Sequence, residues 1–160
     1  MTIVGVVHLG ARWRVRVVED LHIVFEPLPG ESLTRFVSDN VNNFNLARTG
    51  ISSWHPVGFF LKDGRGEWLG GLTGHIWGGW LHVNFVWIAE PLRGRGYGSQ
   101  LMDAAEAFAA ERGACASTLE THSFQAPSFY KKRGYEVFGQ LDDYPPGHTK
   151  LFMRKRLSKP

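Results

Sequence analysis

The stretch Phe85-Val86-Trp87-Ile88 and, after four intervening residues, Arg93-Gly94-Arg95-Gly96-Tyr97-Gly98 decides the fold of this 160-residue chain. The first part closes a run, Trp80–Ile88, whose polar and apolar side chains alternate as in a β-strand. After Gly98, apolar side chains recur at helical spacing at Leu101, Met102, Ala105 and Phe108. The sequence therefore predicts a strand, a glycine-rich loop and a helix that ends near Arg112.

A glycine-rich loop before a helix is typical of a phosphate-binding site. Glycines let the backbone approach a ligand closely, and the helix N-terminus presents unpaired N–H groups and a positive dipole end. Arg93 and Arg95 add positive charge. The loop lacks the lysine of a Walker loop, and its G-x-G-x-G spacing differs from the dinucleotide fingerprint. A plain glycine-rich turn and an arginine-glycine patch for RNA are the alternatives.

The flanking sequence predicts one mixed α/β domain. Strand composition extends over Val15–Phe25, and Ser32 is a candidate N-cap for a helix that reaches about Ala47. Asp63-Gly64 between two apolar runs predicts a hairpin, and Gly78-Gly79 leads into the third strand of a meander. Beyond the helix we expect further elements at Ser117–Thr121 (strand), Pro127–Arg133 (helix), Tyr135–Leu141 (strand) and Lys150–Leu157 (strand).

Composition narrows the class of protein. With 43% hydrophobic and 21% charged residues the chain is typical of a soluble globular protein. Its single cysteine, Cys115, excludes an internal disulfide. The sequence shows neither a signal-peptide pattern nor a run of 18 apolar residues, so we expect a cytoplasmic protein without a membrane span. Residues 131–160 hold 8 of the 18 basic but only 3 of the 15 acidic side chains, which suits an anionic ligand, nucleic acid or a solvated end.

Two motifs together resemble the GCN5-related N-acetyltransferase (GNAT) superfamily. Arg93-Gly94-Arg95-Gly96-Tyr97-Gly98 after a strand is similar to its R/Q-x-x-G-x-G/A motif. Ala126 to Tyr135, with Tyr130 and Gly134 between them, is similar to its A-x-x-x-Y-x-x-x-G-F/Y segment. The resemblance covers about residues 31–157. It implies a single mixed, mostly antiparallel sheet flanked by helices, in one N-acetyltransferase domain spanning 1–160, with 1–14 as an extra strand or arm.

The resemblance also implies acetyl-CoA as co-substrate and a primary amine of a small molecule or peptide as acceptor. The loop would bind the CoA pyrophosphate, the preceding strand backbone would pair with pantetheine, and Tyr130 would protonate the departing thiolate. The cofactor-binding residues implied are Val86, Trp87, Ile88, Arg93, Gly94, Arg95, Gly96, Tyr97, Gly98 and Ser99. We expect part of the basic excess, Lys131 to Arg133, to lie near the phosphates.

General chemistry supports these roles. An amine with a pKa of about 10.4 must lose a proton before it attacks a thioester, and the attack builds negative charge on the carbonyl oxygen. A backbone N–H near Ile88 is a candidate donor to that oxygen. Glu120 is the candidate proton acceptor, with His122 on the same strand face as the alternative. Ser123 stands where the family often has an asparagine that contacts pantetheine, and Ser123 or Gln125 is the candidate substitute.

Two alternatives from other functional classes remain open. The chain could be a non-catalytic acyl-CoA sensor that keeps the loop without the acid-base chemistry. It could also be an RNA-binding module, which its slightly acidic residues 1–130 disfavour. The seven histidines show no metal-binding spacing, so we expect no metal. A homodimer is compatible with the strand edges near the C-terminus.

Overall fold

The computed structural model describes residues 4–9, 12–17 and 21–157, the first two ranges by their backbone. It divides into two compact units, Met1–Gly50 and Ile51–Pro160, and each is described by itself. The prediction of one domain over residues 1–160 stays a prediction. Residues 18–20 and 158–160 lie outside the described part of the chain.

The first unit holds a two-stranded antiparallel sheet and one helix. Strands β1 (Val4–Leu9) and β2 (Arg12–Val17) pair with Val4 opposite Val17. Helix α1 spans Glu31–Thr49 and ends at Gly50, whose φ of 68° lets its N–H bond to the Leu46 carbonyl at 2.8 Å. The sequence allows either an extra strand or an arm within residues 1–14, and the structure has strand β1 there.

Two sequence predictions for this unit are wrong in part. The sequence predicts a strand over Val15–Phe25, but β2 ends at Val17 and residues 21–26 have no regular structure. β-branched residues favour an extended backbone but do not supply a strand partner. Ser32 is not the helix cap: Gly30, extended at φ −63° and ψ 167°, precedes the first turn, and no side chain caps it.

The second unit is a six-stranded mixed sheet with two helices. Its strands are β3 (His55–Lys62), β4 (Trp68–Trp77), β5 (Trp80–Ile88), β6 (Ala116–His122), β7 (Glu136–Leu141) and β8 (Lys150–Arg156), in the order β3-β4-β5-β6-β8-β7. Only β5 and β6 pair in parallel. Helices α2 (Tyr97–Glu111) and α3 (Pro127–Lys132) cross over between strands, and a 3₁₀ turn at Glu90–Leu92 follows β5. This confirms the predicted mixed, mostly antiparallel architecture.

The core of this unit lies between the sheet and α2. Apolar side chains at alternate strand positions face the helix, and α2 contributes Met102, Ala105 and Ala109, all fully buried. The largest buried strand side chains are Leu72, Leu81 and Met153. We call the opposite side of the sheet, which carries Trp80, His82, Phe85 and Trp87, the outer face.

A bulge in β5 opens the sheet. In the pairing of β4 with β5, Thr73 is opposite Phe85 but Gly74 is opposite Val83, so Asn84 has no partner. A bulge of this kind bends its strand. Glycine is required at position 74, because a Cβ there would lie 2.2 Å from the His82 carbonyl oxygen.

β5 and β6 separate beyond this bulge. Their parallel pairing ends at Val83 opposite Leu119, although β5 continues to Ile88 and β6 to His122. The two strand ends therefore diverge and leave a gap in the middle of the sheet.

Candidate functional site

The glycine-rich loop forms one wall of a cleft on the α2 side of the gap. Gly94 and Gly96 have φ values of 74° and 86°, which only glycine adopts readily. Gly96 is the N-cap of α2, and no side chain occupies the cap, so the first backbone N–H groups of the helix face outward. A helix N-terminus in this state favours an anion.

We call this space of about 510 Å³ the loop cleft. Its far wall is α3, which packs directly on the loop: a Cβ at Gly98 would lie 3.4 Å from Phe129 Cζ. The residues that line it are Val86, Ile88, Leu92, Arg93, Gly94, Gly96, Tyr97, Gly98, Ser99, Ala126, Phe129 and Tyr130. Eight of the ten residues that the resemblance assigned to the cofactor are therefore together in one cleft.

The other two, Trp87 and Arg95, lie elsewhere. The Trp87 side chain lies on the outer face, in an aromatic groove with Phe60, Trp68 and Phe85. Only the backbone of Trp87 is therefore available to the gap. Arg95 is exposed and is not among the lining residues. Arg93 folds back, and its Nε donates to the Ile88 carbonyl at 3.0 Å, which fixes the loop to the strand end.

A smaller space of about 190 Å³, the central cavity, lies in the gap itself. Val83, Asn84, Phe85 and Val86 line it from β5, and Leu119, Glu120, Thr121, Gln125, Ala126 and Tyr130 from the opposite side. It shares Val86, Ala126 and Tyr130 with the loop cleft. A molecule that lies in the cleft can therefore extend into the centre of the sheet.

Tyr130 stands where the two spaces meet. It is 9% exposed, and its ring packs edge-on against Phe129 and Tyr135 at 5.0 and 6.0 Å between centroids. Burial raises the pKa of the Tyr130 phenol above its usual 10. The phenol therefore keeps its proton at neutral pH and can donate it.

Glu120 lies on β6 across the gap from β5 and lines the central cavity. Its carboxylate pairs with the Lys150 ammonium of β8, and this hydrogen bond raises the pKa of Lys150. The sequence did not indicate this partner. Glu120 is about half exposed, so solvent reaches the pair.

The described contacts of His122 and Ser123 are with residues of neighbouring loops. The His122 ring stacks on Phe124 and Tyr144, and its Nδ1 lies 3.3 Å from Gln125 Oε1. Ser123 Oγ accepts from the Thr149 N–H at 3.1 Å. Of the two candidates to replace the family's asparagine, Gln125 lines the central cavity and Ser123 does not.

A third space of about 630 Å³, the outer-face cavity, opens from the central cavity. It shares Val83, Asn84, Phe85, Leu119 and Glu120 with the central cavity and adds Trp80, His82, Thr118, Phe138 and Phe152. Because neighbouring spaces share lining residues along the gap, we call the loop cleft, the central cavity and the outer-face cavity together the passage. Sequence reasoning missed His82 and Asn84, because pairing register rather than composition brings them to the gap.

A buried carboxylate anchors α3 beside the site. Glu106 of α2 accepts from Lys155 Nζ at 2.5 Å and from the Tyr135 hydroxyl at 3.0 Å, and Arg133 lies 3.6 Å away. Arg133 also pairs with Asp103 at 2.6 Å. Arg133, the last residue of the predicted basic cluster Lys131 to Arg133, is therefore paired with acidic side chains of α2. Lys131 and Lys132 are exposed.

Among the described residues no group of three His, Cys, Asp or Glu side chains is placed to hold a metal ion. None of the helices in that part of the chain is long and apolar enough to cross a bilayer.

The sequence is similar to a family of known acetyltransferases. The family model described as the acetyltransferase (GNAT) family matches residues 18–135. The blasticidin-S acetyltransferase of Streptomyces morookaense is 47% identical over 116 residues, which are 70% of this chain and 85% of that protein.

Solved structures that resemble this chain are also acetyltransferases. An acetyltransferase from Bacillus cereus superposes with a TM-score of 0.74 at 34% identity, over 84% of this chain and 98% of its own. Naa20 of Chaetomium thermophilum, solved in complex with a bisubstrate analogue, gives a TM-score of 0.55 at 25% identity, over 58% of this chain and 66% of its own.

Proposed function

The chain belongs to the GNAT family of acetyltransferases and is an acyltransferase, and from that membership we propose that it transfers the acetyl group of acetyl-CoA to a primary amine by direct attack. One observation carries the proposal: the sheet opens between β5 and β6 beside a glycine loop at a helix N-terminus, with a buried tyrosine in the opening.

Acetyl-CoA would occupy the loop cleft. The pyrophosphate meets the N–H groups at the start of α2 and the backbone of Gly94 and Gly96, where the absence of a Cβ permits close approach. Pantetheine extends along Val86–Ile88, whose backbone on the β6 side has no strand partner. The exposed Arg95, with Lys131 and Lys132, adds positive charge around the phosphates.

The thioester then lies in the central cavity beside Tyr130. Attack by the amine forms the C–N bond and places negative charge on the carbonyl oxygen, which a backbone N–H near Ile88 stabilises. Collapse breaks the C–S bond, and the Tyr130 phenol protonates the thiolate. The scheme has no acetyl-enzyme stage, because donor and acceptor meet in one passage.

Glu120 is our candidate for attracting the acceptor. Glu120 lines both the central and the outer-face cavity, so an ammonium that enters from the outer face would meet a negatively charged residue next to the thioester site. The acceptor competes there with Lys150. A charge that is only half buried is well suited to such an exchange of partners.

The acceptor class follows from the outer-face cavity and from a relative. The aromatic walls at Trp80, Phe85, Phe138 and Phe152 suit a cationic amine attached to a planar group. The relative at 47% identity is a blasticidin-S acetyltransferase. We therefore propose that the acceptor is the amine of a small-molecule antibiotic that carries a planar group. Blasticidin S is the first compound to test.

The test is release of free CoA thiol from acetyl-CoA across a panel of blasticidin S, aminoglycosides, polyamines and peptide N-termini. We expect turnover with at least one small-molecule amine and identification of an N-acetyl product by mass spectrometry. Acetyl-CoA binding without turnover on any amine would favour the sensor alternative. RNA affinity without CoA affinity would favour the RNA-binding module.

Two further expectations from the sequence, a cytoplasmic location and a homodimer, stay predictions.

A further inference from the structure

His82 lines the passage, and the scheme above does not use its chemistry. It lies on β5, on the outer face, two residues before the bulge at Asn84. It is partly buried and lines the outer-face cavity together with Glu120, through which an acceptor would approach the thioester. An imidazole at this point can reach a bound amine directly or through one water molecule.

The ring of His82 is the end of a stack of three aromatic side chains. Its ring stacks on that of His75 of β4, with 4.8 Å between centroids and 1° between planes. His75 stacks in turn on Trp54 at 5.6 Å and 24°. The stack favours this orientation of the His82 ring, and the residue lines the outer-face cavity.

The same surroundings favour the neutral ring. Burial, and then the neighbouring charge of His75, lower the pKa of His82 below its usual 6.5, and burial lowers the pKa of His75 as well. The other charged side chains that face His82 each form an ion pair with a side chain of opposite charge. Glu120 of β6 pairs with Lys150, and Arg154 of β8, opposite Thr118, pairs with Glu136 at 2.8 Å.

We propose that the imidazole of His82 accepts the proton that the acceptor's ammonium group must lose before it attacks the thioester. This inference rests on the proposed function and names a residue that the sequence did not. Glu120 is less suited to the step, because its charge pairs with Lys150 and, in the scheme above, with the acceptor's ammonium group, whereas the described contact of His82 is ring stacking.

The proton balance closes with two groups. The first ammonium proton passes to His82 and from there to solvent, which leaves a neutral amine whose lone pair forms the C–N bond. When the C–S bond breaks, Tyr130 gives its proton to the thiolate sulfur. The tyrosinate is then restored by the second proton, which leaves the new amide nitrogen. One free proton is released for each acetyl group transferred.

The test compares pH profiles of kcat/KM for the wild-type chain and three variants: His82→Gln, His75→Gln and His122→Gln. For the wild type we expect an acid limb with an apparent pKa below 6.5, because protonation of His82 removes the proton acceptor. His82→Gln should lower kcat at pH 7 by about 10²- to 10⁴-fold. Its rate should then rise continuously toward the pKa of the amine, since only free amine can react.

The other two variants separate this role from packing. His75→Gln removes a neighbouring charge, so its acid limb should move up toward 6.5 while the plateau is retained. His122→Gln, which changes the alternative histidine of β6, should keep the wild-type profile. Acetyl-CoA affinity and the unfolding temperature of each variant report whether the chain folds and binds its donor.

The outcomes are distinguishable. A wild-type chain that transfers acetyl to no amine overturns the proposed function and this inference with it. An active wild type whose profile is unchanged in His82→Gln overturns this inference alone, as does loss of the acid limb in His122→Gln instead. If His82→Gln does not fold, the His75→Gln shift decides: an unmoved acid limb contradicts the role of His82.

Discussion

At the scale of single residues, Tyr130 combines burial with a place at the meeting of two cavities. Tyr130→Phe removes only the hydroxyl and keeps the ring contacts with Phe129 and Tyr135. We expect kcat to fall by about 10²-fold or more, with the acetyl-CoA dissociation constant within about twofold of wild type. Steady-state kinetics and calorimetry measure the two quantities.

Tyr135→Phe is the matched control. Its hydroxyl donates to Glu106 Oε1 at 3.0 Å and lies 2.8 Å from Ser117 Oγ, inside the core and away from the described cavities. We expect this variant to lose about 1–2 kcal/mol of unfolding free energy while kcat changes little. If Tyr130→Phe turns over as fast as wild type, or if the two tyrosines exchange these effects, Tyr130 is not the acid.

The alkaline limb of the pH profile belongs to the same residue. Burial raises the pKa of the Tyr130 phenol above 10, so the proton needed by the thiolate is present at all lower pH values and is lost only as pH rises through that raised value. We expect kcat to stay level from neutral pH to about 10. A decline that begins near pH 8 and persists in Tyr130→Phe would assign that limb to another group.

At the scale of elements, the loop before α2 is predicted to act through its backbone. Gly96→Val and Gly113→Val both place a branched side chain at a positive φ, 86° and 82°, with no close heavy atom around the new Cβ. The two variants should therefore lose similar amounts of unfolding free energy. Only Gly96 lines the loop cleft, so only Gly96→Val should weaken acetyl-CoA binding, by at least about tenfold.

Equal acetyl-CoA affinity in the two glycine variants would place the cofactor elsewhere. Calorimetric titration of each variant at a temperature where both are folded makes this comparison.

The contact between α2, α3 and β8 depends on Glu106, which is 8% exposed. Glu106→Gln leaves Lys155 and the largely buried Arg133 without their shared carboxylate. We expect a loss of about 3 kcal/mol of unfolding free energy in chemical denaturation. Glu111→Gln is the control, because Glu111 is exposed and lies 3.8 Å from Arg112, so it should cost less than about 0.5 kcal/mol. Similar losses in the two variants would contradict the anchoring role.

Most of the second unit could be predicted from its sequence, because local signals and final structure agree there. Asp63-Gly64 marks the hairpin, and the apolar spacing after Gly98 places α2 within one residue of its observed start at Tyr97. In the first unit, the β-branched residues near Val24 predict a strand that the structure does not have, because residue type alone does not reveal a pairing partner. The loop and Tyr130 were recognised because their motifs are contiguous.

The remaining features of the site depend on pairing between distant segments. The bulge at Asn84, the end of pairing at Val83 and Leu119, and the approach of Lys150 to Glu120 all follow from strand register. No short window of sequence carries that register. His82 therefore reaches the passage without any motif that marks it.

At the scale of the whole molecule, ligand binding should stabilise the fold. A ligand that binds only the folded chain at 100 times its dissociation constant adds about 2.7 kcal/mol to the unfolding free energy. We expect acetyl-CoA to raise the unfolding temperature measurably and a single-stranded RNA to leave it unchanged at physiological salt. A shift with RNA and none with acetyl-CoA would support the RNA-binding alternative.

The central claim is direct transfer of acetyl from CoA to an amine within one passage through the sheet. The most direct measurement follows labelled acetyl-CoA by mass spectrometry over a single turnover, with and without blasticidin S or another acceptor found in the panel. We predict that the label moves to the acceptor nitrogen with one CoA thiol released, and that the chain alone gains no label. Accumulation of an acetylated chain before product forms, or label that never leaves CoA with any amine, would contradict the account.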